Sequence, residues 1–329
     1  MSVDTLSDVL RAVRMKGAVF FDVDTTAPWV AEAPPARIIA PAVMPGSEHV
    51  IEYHVITSGS CWASVIGHDV DPVCLSAGDV VAFPQGDAHV LSSAPGMRGD
   101  IELGLFERPE SSLQLPLLVN LDGGGKEHAH LVCGFLGCDS RPFNPLLESL
   151  PRILYVRGST GDRSRWLDEF TRFAVMEAKE KRAGGSSILS KLGELMFAEV
   201  VRSYLASLPE ESSGWLAGLR DHFIGRVLNL LHENPTKAWT LDQLARDVGL
   251  SRSSLADRFT TLVGIPPMQY LQKWRLQMAA SKLTDRTSNI ATIAAEVGYE
   301  SEAAFSRAFK KSLGLSPAEW RGKRAKFSS

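Results

Sequence analysis

The stretch LDQLARDVGLSRSSLADRFTTLVGIPP, residues 241–267, contains a pattern that recurs as IATIAAEVGYESEAAFSRAFKKSLGLSP, residues 290–317. In both copies an apolar residue and Ala precede a Val-Gly pair, and an aromatic residue later precedes a second Gly. Ala allows two helices to approach closely, and Gly accommodates the left-handed backbone of a tight turn. Each copy therefore predicts a helix, a turn and a second helix, at about 240–263 and 290–313.

The second helix of each copy has its apolar residues on one face, at i, i+4 and i+7 or i+8 spacing. These residues are Leu255, Phe259 and Leu262 in the first copy, and Phe305, Phe309 and Leu313 in the second. The opposite face is left exposed, as in helices that enter a DNA major groove. Residues 267–283 between the copies predict an amphipathic helix that holds the two units at a fixed separation.

From about Trp215 to Arg321 the chain resembles the AraC/XylS family of bacterial transcription regulators, whose DNA-binding domain consists of two such units joined by a linker helix. A single helix-turn-helix pattern also fits helical bundles that bind no DNA, whereas two copies in register favour the regulators. The resemblance implies contacts with base edges from exposed positions of each second helix: Ser253, Ala256 and Asp257 in the first unit, Ala303 and Arg307 in the second.

Arg307 is the strongest of these candidates, because a guanidinium can donate to O6 and N7 of guanine. The alternative is a phosphate contact or a solvated surface charge. The first unit has shorter side chains, and Asp257 would repel phosphate while being able to accept from N4 of cytosine. Phosphate contacts, which position a protein and add salt dependence, are expected from Arg252, Arg258, Lys310 and Lys311.

Charge is divided unevenly along the chain. Residues 215–329 contain 17 Lys and Arg against 10 Asp and Glu, a net charge of +7, whereas the preceding residues contain 18 against 28, a net charge of −10. A basic C-terminal third suits a polyphosphate partner such as double-stranded promoter DNA. The acidic remainder is expected to face solvent, a ligand or a second subunit.

The 329 residues, 44% of them hydrophobic, predict two domains with sizeable cores. No stretch reaches about 18 apolar residues, and the N-terminal sequence MSVDTLSDVLRAVRMKG lacks a hydrophobic signal core. We therefore expect a soluble bacterial protein of the cytoplasm, associated with the nucleoid and not with a membrane. Four cysteines in such a protein are expected to be reduced thiols.

Residues 19–93 contain short apolar or alternating runs broken by Gly, Pro and Asp, which is typical of an antiparallel β-barrel or sandwich. The run GDVVAFPQGDAHVLSS, residues 78–93, has the G-x5-P-x-G-x2-H spacing of the second cupin motif, with Ser93 where Asn is usual. EYHVITSGS, residues 52–60, is similar to a first cupin motif that retains His54. Residues of about 5–205 thus resemble the cupin-like sensor domain of AraC-type regulators.

This resemblance implies an α+β chain: a cupin-like β-barrel, a helical linker or dimerisation segment, and an all-α domain with two helix-turn-helix units. We expect a sensor domain over 1–208, with its barrel at about 19–140 and helices at about 164–208. A linker is expected at 209–216 and the DNA-binding domain at 217–329.

The interior of a small barrel is a ready pocket for a small molecule. The candidate effector-binding residues are His54, His89, Tyr53, Trp62 and Phe83, although strand aromatics are also ordinary core residues. Cupin metal sites need an acidic ligand after the His pair of the first motif, where this chain has Thr57 and Ser58. We therefore interpret His54 and His89 as hydrogen-bonded residues of a ligand cavity, the alternative being a metal site that adds Glu52 or His49.

The segment EHAHLVCGFLGCD, residues 127–139, contains residue types that zinc prefers: His128, His130, Cys133 and Cys138. Alternate residues of a strand share a face, so an unbroken strand would place the two histidines together and the two cysteines on opposite faces. Three alternatives follow from the residues: a zinc site, a cysteine redox switch, or inert strand residues. Zinc is the one cofactor suggested by the sequence.

Two helical segments are expected after the barrel, at 166–183 and 187–208, followed by the linker LPEESSGWL at 208–216. The second segment is amphipathic and either packs against the barrel or forms a helix-helix contact in a homodimer, as the family resemblance implies.

Taken together, the sequence indicates a transcription regulator that binds DNA and responds to a small-molecule effector, with RNA polymerase as a further partner if it is an activator. One alternative is a regulator that senses metal or oxidants through residues 128–138. A less favoured alternative of another class is a cupin-type metalloenzyme fused to a DNA-binding domain, because the metal ligands are incomplete and no nucleophile-base pair is evident.

Overall fold

The structure, a computed structural model, describes residues 4–106, 116–158, 169–170, 172–177, 180, 182–284 and 288–327. The chain forms two compact units that alternate along the sequence. The barrel unit comprises Met15–Cys138 and Leu150–Ala206. The helical unit comprises Met1–Arg14, Asp139–Ser149 and Ser207–Ser329.

The described part of the barrel unit contains ten β-strands in two sheets. They are β1 Lys16–Thr26, β2 Val30–Ala33, β3 His49–Ser58, β4 Ser60–Val65, β5 Val73–Ser76, β6 Val80–Phe83, β7 His89–Ser92, β8 Leu117–Asp122, β9 His128–Cys138 and β10 Leu154–Val156. The larger sheet has the order β10-β6-β3-β9-β1-β8, and the smaller sheet has the order β2-β7-β4-β5.

The described helices are α1 Thr5–Ala12, α2 Ala36–Val43, α3 Pro145–Ser149, α4 Gly185–Ser207, α5 Trp215–Arg220, α6 His222–Glu233, α7 Leu241–Val248, α8 Arg252–Val263, α9 Pro267–Lys282, α10 Ile290–Glu296, α11 Glu302–Leu313 and α12 Pro317–Phe327. A short 3-10 helix spans Leu103–Phe106. The predicted order, a β-rich N-terminal region followed by an all-helical C-terminal region, is confirmed. Among the described residues, no helix combines the length and the hydropathy needed to cross a membrane.

The central strands β3 and β9 pair in antiparallel register, with His54 opposite Cys133. Successive side chains of a strand point to opposite faces of the sheet. One face of β9 contributes Leu131 and Phe135 to the core between the sheets. Side chains of the other face, such as Val132, pack towards α4.

Helix α4 lies against the outer face of the larger sheet. Its approach is close because glycines face each other, and a Cβ added to Gly17 would lie 2.5 Å from the carbonyl oxygen of Ser190. The expected helix at 187–208 is thus observed at Gly185–Ser207 and packs against the barrel. Of the helix expected at 166–183, residues 169–170, 172–177 and 180 are helical, and 166–168, 171, 178–179 and 181 lie outside the described residues.

The helical unit contains both predicted copies of the helix-turn-helix pattern. Helix α7 begins with a capping box in which Thr240 and Gln243 each accept a hydrogen bond from the other's backbone N–H. Ser251 and Ser301 cap α8 and α11, and Gly264 and Gly314 end these helices with φ values of 84° and 73°. The second copy has the same order, with α10 before α11. Helix α9 is the continuous linker helix predicted between them.

Candidate DNA interface and effector cavity

The first unit, α7 and α8, buries the apolar face of α8 through Leu255 and Phe259. Ser253 and Asp257 are exposed on the opposite face, and Ala256 is half-buried. The structure therefore places the three expected base-reading positions on or near the outer side of this helix. None of the three has a side chain long enough to reach far into a groove.

Arg258 and Arg252, the expected phosphate contacts of the first unit, each have an acidic partner within the helical unit. Arg258 forms a two-pronged ion pair with Asp221, at 3.0 Å from Nε and 2.5 Å from Nη2 to Oδ2. Asp221 also caps α6 by accepting from the backbone N–H of Phe223 and Ile224. Arg252 lies 3.6 Å from Asp242 across an exposed pair. Arg258 therefore has a structural role that competes with a phosphate contact.

The second unit, α10 and α11, presents a different exposed face. Phe305 and Phe309 are fully buried and contact each other edge to face. Ala303, Arg307, Lys310 and Lys311 are exposed. Residues spaced by four and seven or eight positions share one side of a helix, so the small Ala303 leaves Arg307 prominent and the two lysines extend the same basic face.

Helix α9 connects the two helix-turn-helix units through Arg275. Its guanidinium donates to the carbonyl oxygens of Pro235 (2.6 Å) and Lys237 (2.9 Å), just before the first unit. It also donates to the carbonyl oxygen of Gly298 (3.2 Å), in the turn of the second unit. One side chain thus holds both helix-turn-helix units in place. No local sequence signal distinguishes this arginine from a surface charge on an amphipathic helix.

A buried polar cluster fixes the other end of α9. The indole N–H of Trp215 donates to the hydroxyl of Tyr270 at 2.8 Å, and that hydroxyl lies 2.8 Å from Nε2 of His232. Both Trp215 and Tyr270 are fully buried. Because the Tyr270 hydroxyl has a hydrogen-bond partner on each side, the cluster fixes α9 against α5 and α6.

The barrel unit encloses a cavity of about 420 Å³ between its two sheets. Its walls are mainly apolar and include the aromatic side chains of Phe21, Trp29, Phe106 and Phe135. Three buried polar residues, Glu52, His54 and His89, line one part of it. A largely apolar cavity with a few convergent polar groups is the usual form of a small-molecule site.

The two histidines form the hydrogen-bonded pair that the sequence motifs predict. Their Nε2 atoms are 2.9 Å apart, and Nδ1 of His89 lies 3.0 Å from the carbonyl oxygen of Asp87. Burial lowers the pKa of His89 to about 4 and lowers the pKa of His54 well below its usual value. Both rings are therefore neutral near pH 7.

The expected aromatic residues occupy three different environments. Phe83 stacks on His89 with ring centroids 3.6 Å apart and so supports the histidine pair. Tyr53 points to the opposite face of β3, where its hydroxyl donates to the carbonyl oxygen of Ala18. Trp62 alternates with Cys61 and Ala63, which belong to the core between the sheets, and it does not line the cavity. Tyr53 is likewise outside the cavity lining, because neighbouring strand residues face opposite ways.

The structure does not bring His128, His130, Cys133 and Cys138 together. They lie along one continuous strand, β9, whose rise of roughly 3.3 Å per residue separates its ends by about 33 Å. Cys133 lines the cavity, whereas His130 lies on the other face, 2.6 Å from Asp22. Over the part of the chain that is described, no group of three or more His, Cys, Asp or Glu residues has an arrangement suited to a metal ion. Among the described residues, these four side chains therefore do not form the zinc site that was one of the three alternatives.

The cysteine pair of the proposed redox switch is also separated by the unbroken strand. Cys133 and Cys138 are both buried and differ by five positions, so their side chains point to opposite faces of the sheet. Burial raises the pKa of Cys133 far above that of an ordinary thiol, and it raises the pKa of Cys61 to about 12. Thiols of this kind are poor nucleophiles. Cys74 is the exposed thiol of the chain.

Comparison with known proteins gives matches over both units. Residues 4–206 match the family model described as Cupin, and residues 244–323 match the one described as Helix-turn-helix domain. A putative AraC-like transcription regulator of Streptomyces lividans is 30% identical over 323 residues, which cover 97% of this chain and 98% of that protein. The regulator AlkR of Acinetobacter baylyi is 30% identical, over 82% of this chain and 86% of its own length.

A solved structure of an AraC-type regulator from Chromobacterium violaceum is 27% identical and covers 32% of this chain and 93% of that chain, with a TM-score of 0.30.

Proposed function

The chain belongs to the AraC-type family of transcription regulators, and we propose that an effector bound in the barrel cavity controls how its two helix-turn-helix units bind a promoter. The family membership establishes a DNA-binding regulator with an N-terminal cupin domain.

The exposed face of α11 supports the DNA-binding part of the proposal most directly. Arg307 is exposed beside Lys310 and Lys311, so a base-reading group and two phosphate-binding groups share one side of the helix. In the first helix-turn-helix unit, the shorter side chains of Ser253, Ala256 and Asp257 contact base edges. Arg252 contacts phosphate. Arg258 contributes less, because Asp221 already holds it.

The cavity in the barrel unit is the observation that carries the sensing part. It is about 420 Å³ in volume and combines aromatic walls with three buried polar side chains, which suits a drug-sized molecule. An effector needs only to bind more tightly to one of two arrangements of the domains to change the population that binds DNA. We assign sensing to residues 1–208, linking to 209–216 and DNA binding to 217–329.

A homodimer is part of the proposal because α4 has apolar side chains on its outer face. Leu195 is 51% exposed and Ile188 is 39% exposed, although the inner face of the helix is buried against the barrel. A second copy of α4 would cover these side chains. A regulator of this kind acts in the cytoplasm, where the promoter is, and contacts RNA polymerase if it activates transcription.

The experiment starts from promoter fragments selected from genomic DNA by the full-length protein. Transcription from the selected promoter is then compared between wild-type protein and the variant Leu131→Trp, in which the larger ring fills the cavity that Leu131 lines. We expect the variant to bind the same DNA but to lose the response to growth conditions that change wild-type activity. The control Ile38→Trp adds a ring at an exposed position of α2. A full response of the filled variant would contradict the cavity as the sensor.

A further inference from the structure

The cavity has two polar atoms that lack a hydrogen-bond partner among the described residues. These atoms are Oε1 of Glu52 and Nδ1 of His54, in side chains that are 2% and 8% exposed. Leaving a buried polar group unpaired costs free energy, so such groups are rare in folded proteins and point to a missing partner. Both residues line the cavity, which is where that partner would lie.

The hydrogen bonds of the histidine pair determine what kind of partner is missing. Nδ1 of His89 lies against a carbonyl oxygen, which can only accept, so this nitrogen is the donor and Nε2 of the neutral ring is an acceptor. Nε2 of His54 must therefore donate to His89, which leaves Nδ1 of His54 as a lone pair. The unpaired atoms are thus a ring acceptor and a carboxyl oxygen that accepts when Glu52 is ionised, and a hydrogen-bond donor then satisfies both.

The charges around the cavity favour a donor that is also a cation. Glu52 lies inside, and Glu32, Asp100 and Glu102 line the cavity as well, whereas no Lys or Arg occurs among the described lining residues. Glu32 is already paired with Arg98 at 2.7 Å, but Asp100 and Glu102 are exposed. Burial raises the pKa of Glu52 well above its usual value. A nearby cation is the partner that would favour its charged form, and an anion would face an unfavourable potential.

The remaining walls match the apolar part of a ligand. Phe21, Trp29, Phe106 and Phe135 line the cavity, and Phe21 contacts Phe106 edge to face with ring centroids 5.6 Å apart. Aromatic faces bind apolar groups and also attract cations.

We propose that the barrel cavity binds hydrophobic cations, namely apolar molecules with a protonated amine that donates to Glu52 and His54 while their apolar body packs against the aromatic walls. The proposal rests on the proposed function, because it names the ligand class of the same effector site.

The test uses calorimetric titration of the full-length protein at pH 7.5 with three matched probes. These are 4-phenylbutylamine, 4-phenyl-1-butanol and 4-phenylbutyrate, which share one body and differ in their polar end. Hydrogen bonds to charged groups add roughly 1.5–3 kcal/mol, so we expect the amine to bind about 10- to 100-fold more tightly than the alcohol, with the carboxylate weakest. Equal binding of the amine and the alcohol, tighter binding of the carboxylate, or no binding of the amine would overturn the proposal.

Two variants test which side chain causes the tighter binding of the amine. Glu52→Gln keeps the shape of the side chain but removes the negative charge, so the amine should lose its advantage while the alcohol still binds, which also shows that the cavity is intact. Glu127→Gln makes the same change at an exposed position that does not line the cavity and should retain the preference. An unchanged preference for the amine in Glu52→Gln would contradict the assigned partner. If the probes fail this ranking while Leu131→Trp still abolishes regulation, the ligand class is wrong and the cavity remains the sensor.

Discussion

Among single residues, we expect those on the exposed face of α11 to contribute most to DNA recognition. Arg307 stands on that face among small and basic neighbours, at a position that the helix-turn-helix spacing already indicated. The corresponding face of α8 has only short side chains and an acid. The two units are therefore expected to differ in how much base sequence each reads.

Replacing Arg307 with Ala is expected to weaken binding to the selected promoter by about 1–3 kcal/mol and to relax one base preference, because a bidentate contact with guanine is lost. Fluorescence anisotropy on the selected site and on single-base variants measures both effects. Lys310→Ala serves as the comparison: it should weaken all sites alike and lower the slope of log affinity against log salt by about 1. If Arg307→Ala lost the same affinity on every DNA sequence, Arg307 would contact phosphate and not a base.

Thiol reactivity is a second property set by individual side chains. Cys61, Cys133 and Cys138 are buried, and burial raises the pKa of the first two, so their thiolates are scarce at neutral pH. In the native protein, a water-soluble maleimide should modify Cys74 much faster than the other three cysteines. Mass spectrometry of peptides gives the order of labelling. Fast modification of Cys133 would restore it as a candidate oxidant sensor.

The sequence predicts structure well where a residue type at a given spacing has a single structural role. The left-handed glycines Gly264 and Gly314, and the caps Ser251 and Ser301, follow from local backbone needs. It fails where a partner is distant in sequence. The pairing of Arg258 with Asp221 spans 37 positions, and nothing near either residue indicates it.

At the scale of elements, α9 connects the two reading helices, and Arg275 is its principal bridge. Arg275→Ala removes three hydrogen bonds that orient the two helix-turn-helix units, each of which contributes about 0.5–1.5 kcal/mol at most. We therefore expect the variant to bind the full promoter site roughly tenfold more weakly. The measurement is affinity for the full site together with circular dichroism, which should show unchanged helix content. Gln269→Ala, on the exposed face of the same helix, is the control. Normal affinity of Arg275→Ala would show that packing alone holds the units in register.

Helix α9 also has a fully buried amide, Gln277. Its side chain accepts from the backbone N–H of Phe143 at 3.1 Å and donates to the carbonyl oxygen of Ala12 at 3.2 Å, so it joins three segments of the helical unit. Gln277→Ala should lower the free energy of unfolding by roughly 1–3 kcal/mol or more, because it leaves backbone groups without partners. Urea denaturation, with Gln269→Ala as the matched control, measures this. Equal stabilities of the two variants would show that the amide is dispensable.

The elements themselves differ in how well their patterns predict them. The helices of the C-terminal third follow from apolar spacing, and the strands of the barrel follow from alternation and the cupin motif. The glycines of the segment 127–139 suggest breaks in a strand. Gly134 and Gly137 instead lie within an unbroken strand, where a Cβ on Gly134 would lie 2.4 Å from the hydroxyl of Tyr53. Close packing, and not a turn, explains that glycine.

At the scale of the whole molecule, the net charge of −3 conceals two regions with different partners. The basic C-terminal third suits DNA, and the acidic remainder holds a cavity whose charged lining residues are carboxylates. The helical unit also contains two segments from elsewhere in the chain, Met1–Arg14 and Asp139–Ser149. A sequence divided into consecutive domains does not reveal this arrangement, because the contacts that create it involve single side chains such as Gln277.

We propose that the two helix-turn-helix units, held together by α9, bind one face of promoter DNA. Hydroxyl-radical footprinting of the full-length protein on its selected promoter tests this most directly. We expect two protected patches on the same face of the duplex for each protein chain, about 10 base pairs apart, with the patch assigned to α11 weakened more than the other in Arg307→Ala. A single patch that persists in Arg307→Ala, or protection spread evenly over any DNA, would contradict the account.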